Sequence, residues 1–346
     1  MRLFRLIPGI LFVLAGSLSP VAGAESFTVF DDDTDLVGEF RTAHAEHQDT
    51  LLDIARSHGL GYTEIRLANA GVDTWLPGEG QQVVLPKRFI LPPTPREGLV
   101  LNIPEMRLYY YPARRKNAPR TVQTYPLGVG REGWSTPYVT TRITSKVARP
   151  SWYPPESIRE EHAADGDPLP RVVPAGPDNP LGDYAMRLAL PSYLIHGTNR
   201  PWGVGMRVSH GCIRLYPEDI ETLFNQVEVG TPVRIINQPY KVGHKGGIIY
   251  LEAHPHLEED AEEFKNAFTQ IVNMVQERTG ADADNYDIDW ELARLVMKEA
   301  RGVPVAIGME LPRLQQAAAV IMENDPLAGM QLQLDGPGAF SELERR

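Results

Sequence analysis

Thirty prolines and thirty glycines punctuate this 346-residue chain, and that punctuation limits its fold more than any other feature. Proline fixes φ and lacks a backbone donor, and glycine favours turns. A β-rich body with many turns and extended connections is therefore expected, rather than an all-helical one. The length allows two or three compact units of roughly 100–150 residues each. Hydrophobic residues make up 42% and charged residues 23%, an ordinary balance for units that bury real cores. The net charge is −11, with no basic stripe carrying interleaved aromatics, which argues against nucleic acid as a partner.

Residues 1–24 read as an export signal. Arg2 and Arg5 give a basic start, Leu6 to Leu18 is an apolar run broken by Pro8 and Gly9, and Ala22-Gly23-Ala24 suits cleavage after Ala24. The run is shorter than the ~20 apolar residues of a membrane span, and no later segment reaches that length, so no stable span is expected after cleavage. No cysteine sits near the cut, which excludes a lipobox. Export to the periplasm makes the cysteine count informative, because a disulfide-stapled secreted protein carries its cysteines in pairs. This chain has one, Cys212, which is either buried and inert or kept as a reactive thiol.

Residues 40–88 have the order strand, helix, helix, strand. Asp49 or Thr50 caps a short helix through Leu51, Leu52, Ile54 and Ala55, and Gly59-Leu60-Gly61 ends it. A second helix spans Thr63 to Ala70, Leu76-Pro77-Gly78 is a turn, and Gln82 to Leu85 is a strand stopped by Pro86. Asp49-Thr50-Leu51, Ile54-Ala55, Glu64-Ile65, Asn69 and Leu76-Pro77-Gly78 resemble a LysM domain. Gln48 stands where the usual entry has glycine. The resemblance implies binding of N-acetylglucosamine-containing glycan.

Residues 96–237 form a second unit of short strands: Leu99–Ile103, Arg107–Tyr111, Thr121–Leu127, Val139–Ser145, Tyr193–His196 and Pro232–Ile236. A mixed, mainly antiparallel sandwich or half-barrel is the natural architecture. The Pro-rich stretch 150–180 lacks hydrophobic period and reads as an ordered surface loop or lid. Residues 238–346 read as a hairpin at Lys241–Ala253 with Gly246-Gly247 at its turn, then helices. One starts near Leu257 and carries Ala261, Phe264, Phe268, Ile271, Val272 and Val275; others cover Asp289–Ala300 and Arg313–Met322. This helical extension is expected to pack on the catalytic body.

Chemistry concentrates in Tyr193-Leu194-Ile195-His196-Gly197-Thr198 and Ser209-His210-Gly211-Cys212-Ile213-Arg214-Leu215. A thiol is only partly ionised at neutral pH and needs a base or cation beside it, and two histidines are close in sequence. Gly211 permits a tight turn that aims successive amides at a developing oxyanion. The pattern resembles L,D-transpeptidases of the YkuD type. Ile213-Arg214-Leu215 is similar to the ErfK/YbiS group, as are Gly128-Val129-Gly130, Thr136-Pro137, Met206-Arg207-Val208 and Tyr216-Pro217-Glu218-Asp219-Ile220. Many members of the wider family carry Asn at the position of Arg214.

The resemblance implies a YkuD-like fold and a cysteine acyltransferase without cofactor or metal. Cys212 would attack a peptidoglycan tetrapeptide stem at the carbonyl joining its L-centre to the terminal D-residue. His196 would be the base, oriented by the Gly197 carbonyl. His210 and the amides of Gly211 and Cys212 would form the oxyanion hole. The acceptors it implies are the C-terminal lysine of an outer-membrane lipoprotein or a second stem peptide. Ser209 is better placed to bond within the turn than to react, and Arg207 and Arg214 are candidates for docking substrate carboxylates. Three rivals stand beside this reading. One is a zinc site built from His196, His210 and Cys212, which lacks the usual ligand spacing. The others are a non-catalytic wall-binding protein, and a hydrolase, an L,D-carboxypeptidase or lipoprotein-detaching enzyme, using the same Cys and His.

Overall fold

The computed structural model describes residues 25–29, 34–114 and 118–311. The export signal and the expected helix at 313–322 lie outside them. The chain opens with β1 (Glu25–Val29), β2 (Leu36–Gly38) and β3 (Arg41–His44), followed by helices α1 (Leu51–Ser57) and α2 (Tyr62–Ala68), then β4 (Gln82–Leu85) and β5 (Arg88–Ile90). Strands β3 and β4 pair antiparallel, which closes the strand–helix–helix–strand unit around Leu51, Ile54, Leu60, Ile65 and Val83. Thr50 caps α1: its hydroxyl accepts from the Asp53 amide at 3.2 Å, and the Asp53 carboxylate accepts from the Thr50 amide at 3.0 Å.

The central body comprises β6 (Gly98–Asn102), β7 (Arg107–Tyr111), β8 (Arg120–Pro126), β9 (Val129–Gly130), β10 (Val139–Ala148), α3 (Glu156–Ala164), β11 (Tyr184–Leu188), β12 (Leu194–His196), β13 (Arg207–Ser209), β14 (Ile213–Arg214), α4 (Pro217–Gln226) and β15 (Pro232–Ile236). Eight of its strands and β1 make one mixed sheet in the order β1-β8-β7-β6-β15-β10-β11-β12-β14. Its middle strands are buried on both faces, as their unbroken apolar runs require. Leu99, Leu101, Leu108 and Tyr110 enter the main core with α4, while Val100, Tyr109 and Tyr111 pack beneath Phe89 and Leu91. The sheet also curls back: Arg214 on β14 bridges Gly128, just beyond β8. The protein is mixed and mainly β, with a curled sheet packed on both faces. Strand β1, which the sequence did not suggest, forms one edge, and the 150–180 stretch contains helix α3 rather than loop alone.

The C-terminal part differs more from its sequence reading. The hairpin β16 (Tyr240–Lys245) and β17 (Ile248–Ala253) forms as expected around Gly246 and Gly247, both at positive φ. It is joined by β18 (Tyr286–Ile288) and β19 (Val305–Glu310) into a four-stranded sheet with its own core. Helices α5 (Ala267–Thr279) and α6 (Trp290–Glu299) pack on that sheet. Helix α5 begins ten residues later than the apolar period suggests. The acidic pairs Glu258/Glu262 and Glu259/Glu263 place like charges four residues apart and disfavour helix there.

Candidate active site

The parallel pairing of β12 with β14 builds the site. Ile195 lies opposite Ile213, and His196 opposite Arg214. Alternate residues share a face. Ile195 and Ile213 therefore point into the core, both fully buried. His196, Arg214 and, one residue before β14, Cys212 project from the other face. Diagonal neighbours in such a ladder lie on the order of 7–8 Å apart at their Cα atoms, within reach of an imidazole and a thiol.

The turn entering β14 is held from several sides. Ser209 Oγ donates to the Cys212 carbonyl at 2.6 Å, and Thr136 Oγ1 donates to the Gly211 carbonyl at 2.9 Å while accepting from the Gly130 amide at 3.1 Å. Gly211 sits at φ +95°, and a Cβ there would meet Tyr193 Cε1 at 3.0 Å, so glycine is required. Among the described residues the amides of Gly211 and Cys212 find no acceptor. Two unpaired N–H groups beside a half-buried thiol are the elements of an oxyanion hole.

Protonation follows from the contacts. His196 is buried, and its Nδ1 lies 2.6 Å from the Gly197 carbonyl, which can only accept. A proton on Nδ1 fits that contact and leaves Nε2 as the ring's accepting nitrogen; the Leu181 carbonyl also bonds the ring. Burial, and then the Arg214 guanidinium, push the His196 pKa down to about 3. Burial also raises the Cys212 thiol, against the opposing pull of the Leu194 amide and Arg214. At rest the pair is a neutral thiol and a neutral imidazole. Cys212 Sγ donates to the Ser192 carbonyl at 3.5 Å, and Ser192 holds φ +69° in the turn from Leu190 to Tyr193. A non-glycine residue strained in this way beside the sulfur is a feature that sequence patterns did not single out.

The remaining candidates divide. Arg214 has no carboxylate partner among the described residues, and its Nε is buried without an acceptor. Arg207 is engaged: its guanidinium grips Glu259 at 3.0 and 2.5 Å, and its Nε donates to the Gly130 carbonyl at 3.2 Å. His210 turns its Nε2 toward Glu161 of α3 at 3.2 Å and Arg131 at 3.1 Å, with its ring edge-on to Trp134. Burial and Arg131 lower its pKa, and Glu161 opposes them. Arg131 and Glu161 also pair directly, so the Pro-rich segment touches the catalytic turn through a contact that sequence reasoning missed. The ligand atoms of His196, His210 and Cys212 do not gather as a metal set. The group of described residues that does, Glu105, Glu252 and His254, has Lys241 Nζ 2.9 and 2.8 Å from its two glutamates.

The L,D-transpeptidase catalytic domain of the YkuD family matches residues 96–235. The chain is 38% identical over 312 residues to the protein named Probable L,D-transpeptidase YcfS of Escherichia coli (strain K12), covering 88% of this chain and 95% of that one. The chain belongs to the L,D-transpeptidase family. Similarity to Probable L,D-transpeptidase YbiS of the same organism is 39% over 303 residues, 86% of this transpeptidase and 96% of that protein. The solved catalytic domain of an E. faecium L,D-transpeptidase is similar at 20% identity, over 42% of this chain and 100% of that one, with a TM-score of 0.31. His196 on β12 and Cys212, one residue before the adjacent β14, both lie in the matched region.

Proposed function

We propose that this transpeptidase opens peptidoglycan tetrapeptide stems with Cys212 and passes the acyl group to an amine. His196 Nε2 takes the thiol proton as sulfur bonds to the carbonyl carbon of the L-centre. Charge builds on the carbonyl oxygen, where the Gly211 and Cys212 amides, with His210 beside them, receive it. The C–N bond then breaks and the proton passes to the departing D-alanine amine. A lipoprotein lysine or a second stem peptide attacks the thioester and frees the thiol. The observation that carries this reading is the shared face of His196, Arg214 and Cys212, with His196 Nδ1 held by the Gly197 carbonyl.

Arg214, without an acidic partner among the described residues, is the candidate for a stem carboxylate; Arg207, held by Glu259, is the weaker one. The same reading assigns 1–24 to a signal, 40–88 to a LysM-like glycan-binding module, 96–237 to catalysis and 238–346 to an extension. It places the enzyme in the periplasm. Intact-mass spectrometry after incubation with a carbapenem tests the nucleophile. One adduct localised to Cys212, absent in Cys212→Ala, is expected. Tetrapeptide muropeptides supplied with an amine acceptor should give exchange product; tripeptide alone would mean that water is the acceptor and transfer is wrong.

A further inference from the structure

Helix α2 starts on Gly61, which has no side chain to cap it. Two of its orphan amides are satisfied by the catalytic body instead: Tyr62 N donates to the Val204 carbonyl and Thr63 N to the Gly205 carbonyl, both at 3.2 Å. Thr63 Oγ1 adds a 2.6 Å bond to the Gly205 carbonyl. The two backbones touch here. A Cβ on Gly205, which sits at φ +82°, would lie 2.2 Å from Tyr62 N, and one on Gly61 would lie 2.9 Å from Gly205 Cα.

From Gly205 the chain runs directly into the catalytic turn. The Gly205 amide donates to the Leu127 carbonyl at 3.2 Å, the Met206 carbonyl accepts from Val129 at 3.1 Å, and the Ser209 carbonyl accepts from Arg131 at 2.9 Å. Three residues later comes Cys212. Beyond the turn the same unit takes hold again. Tyr216 OH donates to the Leu60 carbonyl at 3.1 Å, and Arg56 on α1 grips Glu218 at 3.1 and 3.2 Å. Beside the seam Glu64 accepts two bonds, at 2.6 and 2.9 Å, from Arg107 on β7, which is 1% exposed.

The segment holding Cys212 is thus held at both ends by the strand–helix–helix–strand unit. We propose that this unit is a working part of the catalytic turn, and that Thr63 and Arg56 are positioning residues for Cys212, acting through Val204–Gly205 and through Glu218. The inference rests on Cys212 being the nucleophile. It implies that a glycan held by the unit and a stem peptide in the cleft lie in a fixed relation, so that assembled wall polymer, with glycan and peptide joined, is the substrate read as one ligand.

The test uses the full-length enzyme carrying Thr63→Val, Thr63→Ser or Arg56→Gln. Two rates are followed per folded molecule: carbapenem acylation, and alkylation of the sole cysteine by iodoacetamide as a function of pH. Thr63→Val keeps the β-branched shape but removes the 2.6 Å bond; it should slow acylation roughly three- to tenfold and displace the alkylation profile, while Thr63→Ser restores both. Arg56→Gln should act in the same direction. Wild-type rates and profile in Thr63→Val overturn the proposal, as does a fall in Tm with unchanged rates per folded molecule. Failure of the wild-type enzyme to be acylated would sink the nucleophile reading instead, and the alkylation profile separates the two because it needs no transfer chemistry.

Discussion

The catalytic sheet meets its N-terminal neighbour through backbone carbonyls and two bidentate Arg–Glu pairs, Arg107–Glu64 and Arg56–Glu218. It meets its C-terminal neighbour through a sealed charge cluster. There Lys241 of β16 reaches Glu105 at 2.9 Å, Glu252 at 2.8 Å, the Ile90 carbonyl at 2.7 Å and Tyr109 OH at 3.1 Å, and the side chains of Lys241, Glu105 and Glu252 have no exposed surface. The first seam follows the chain segment that ends in Cys212; the Lys241 cluster touches the β6–β7 turn, and the C-terminal part reaches that segment through Glu259, which pairs with Arg207 on β13. Two interfaces on one sheet thus carry different duties. By the proposal above the first positions a reacting group, while the Lys241 cluster holds the body together.

Lys241→Met attacks the second seam and should have the largest effect. Two carboxylates lose their buried cation, which should cost about 3–5 kcal/mol in denaturant unfolding. Acylation per folded molecule should stay at the wild-type rate, and a matching loss of rate would erase the contrast between the seams. Burial works against ionised Glu252, but Lys241 and His254 overcome it and hold its pKa at about 2, below the ordinary 4.5. That contribution is present above about 4.5 and is lost as pH falls toward 2, so the variant should also lose this part of the acid dependence.

Asp219 probes the first seam from beneath. It is 2% exposed with Oδ2 unpaired, and burial, then Glu218, raise its pKa to about 8. A raised carboxylate favours the folded state below about 4 and loses that advantage as pH climbs to about 8. Asp219→Asn should therefore stabilise the enzyme by about 2–4 kcal/mol at pH 8 and very little at pH 4, read from unfolding at both. Equal effects at the two pH values would show that the carboxyl is not protonated in the folded state. Glu161→Gln is the mildest change. Its pair with Arg131 is exposed to solvent, so stability should barely change. His210 loses the neighbour that favours its charged form, and its NMR titration should move to lower pH.

Much of the fold was legible because its signals are local. Thr50 caps α1, Gly246-Gly247 turns the β16–β17 hairpin, Asp289 caps α6, and the strand runs at 99–103, 107–111 and 232–236 appear within a residue or two of their expected bounds. Strands β18 and β19 were hidden: one has three residues, and Ile307 is the sole buried position of the other. Helix α3 was equally obscure, with Ile158 alone buried on it. Short elements that bury one side chain leave no period to read.

At the site, residue types in the sequence pointed to Cys212, two nearby histidines and the Gly211 turn, because a thiol nucleophile needs a base and a turn that can present amides; the family resemblance gave His196 and Gly197 their expected roles. Tertiary structure alone decided the rest. Strand register set His196 and Arg214 side by side, Glu259 paired with Arg207 while Arg214 found no carboxylate among the described residues, Glu161 reached His210 from a distant segment, and α2 closed on Gly205. Each of these joins residues far apart in the chain, and sequence encodes such pairings only through the packing of the whole fold. Whether a charge is neutralised or left free for a ligand depends on which neighbour arrives.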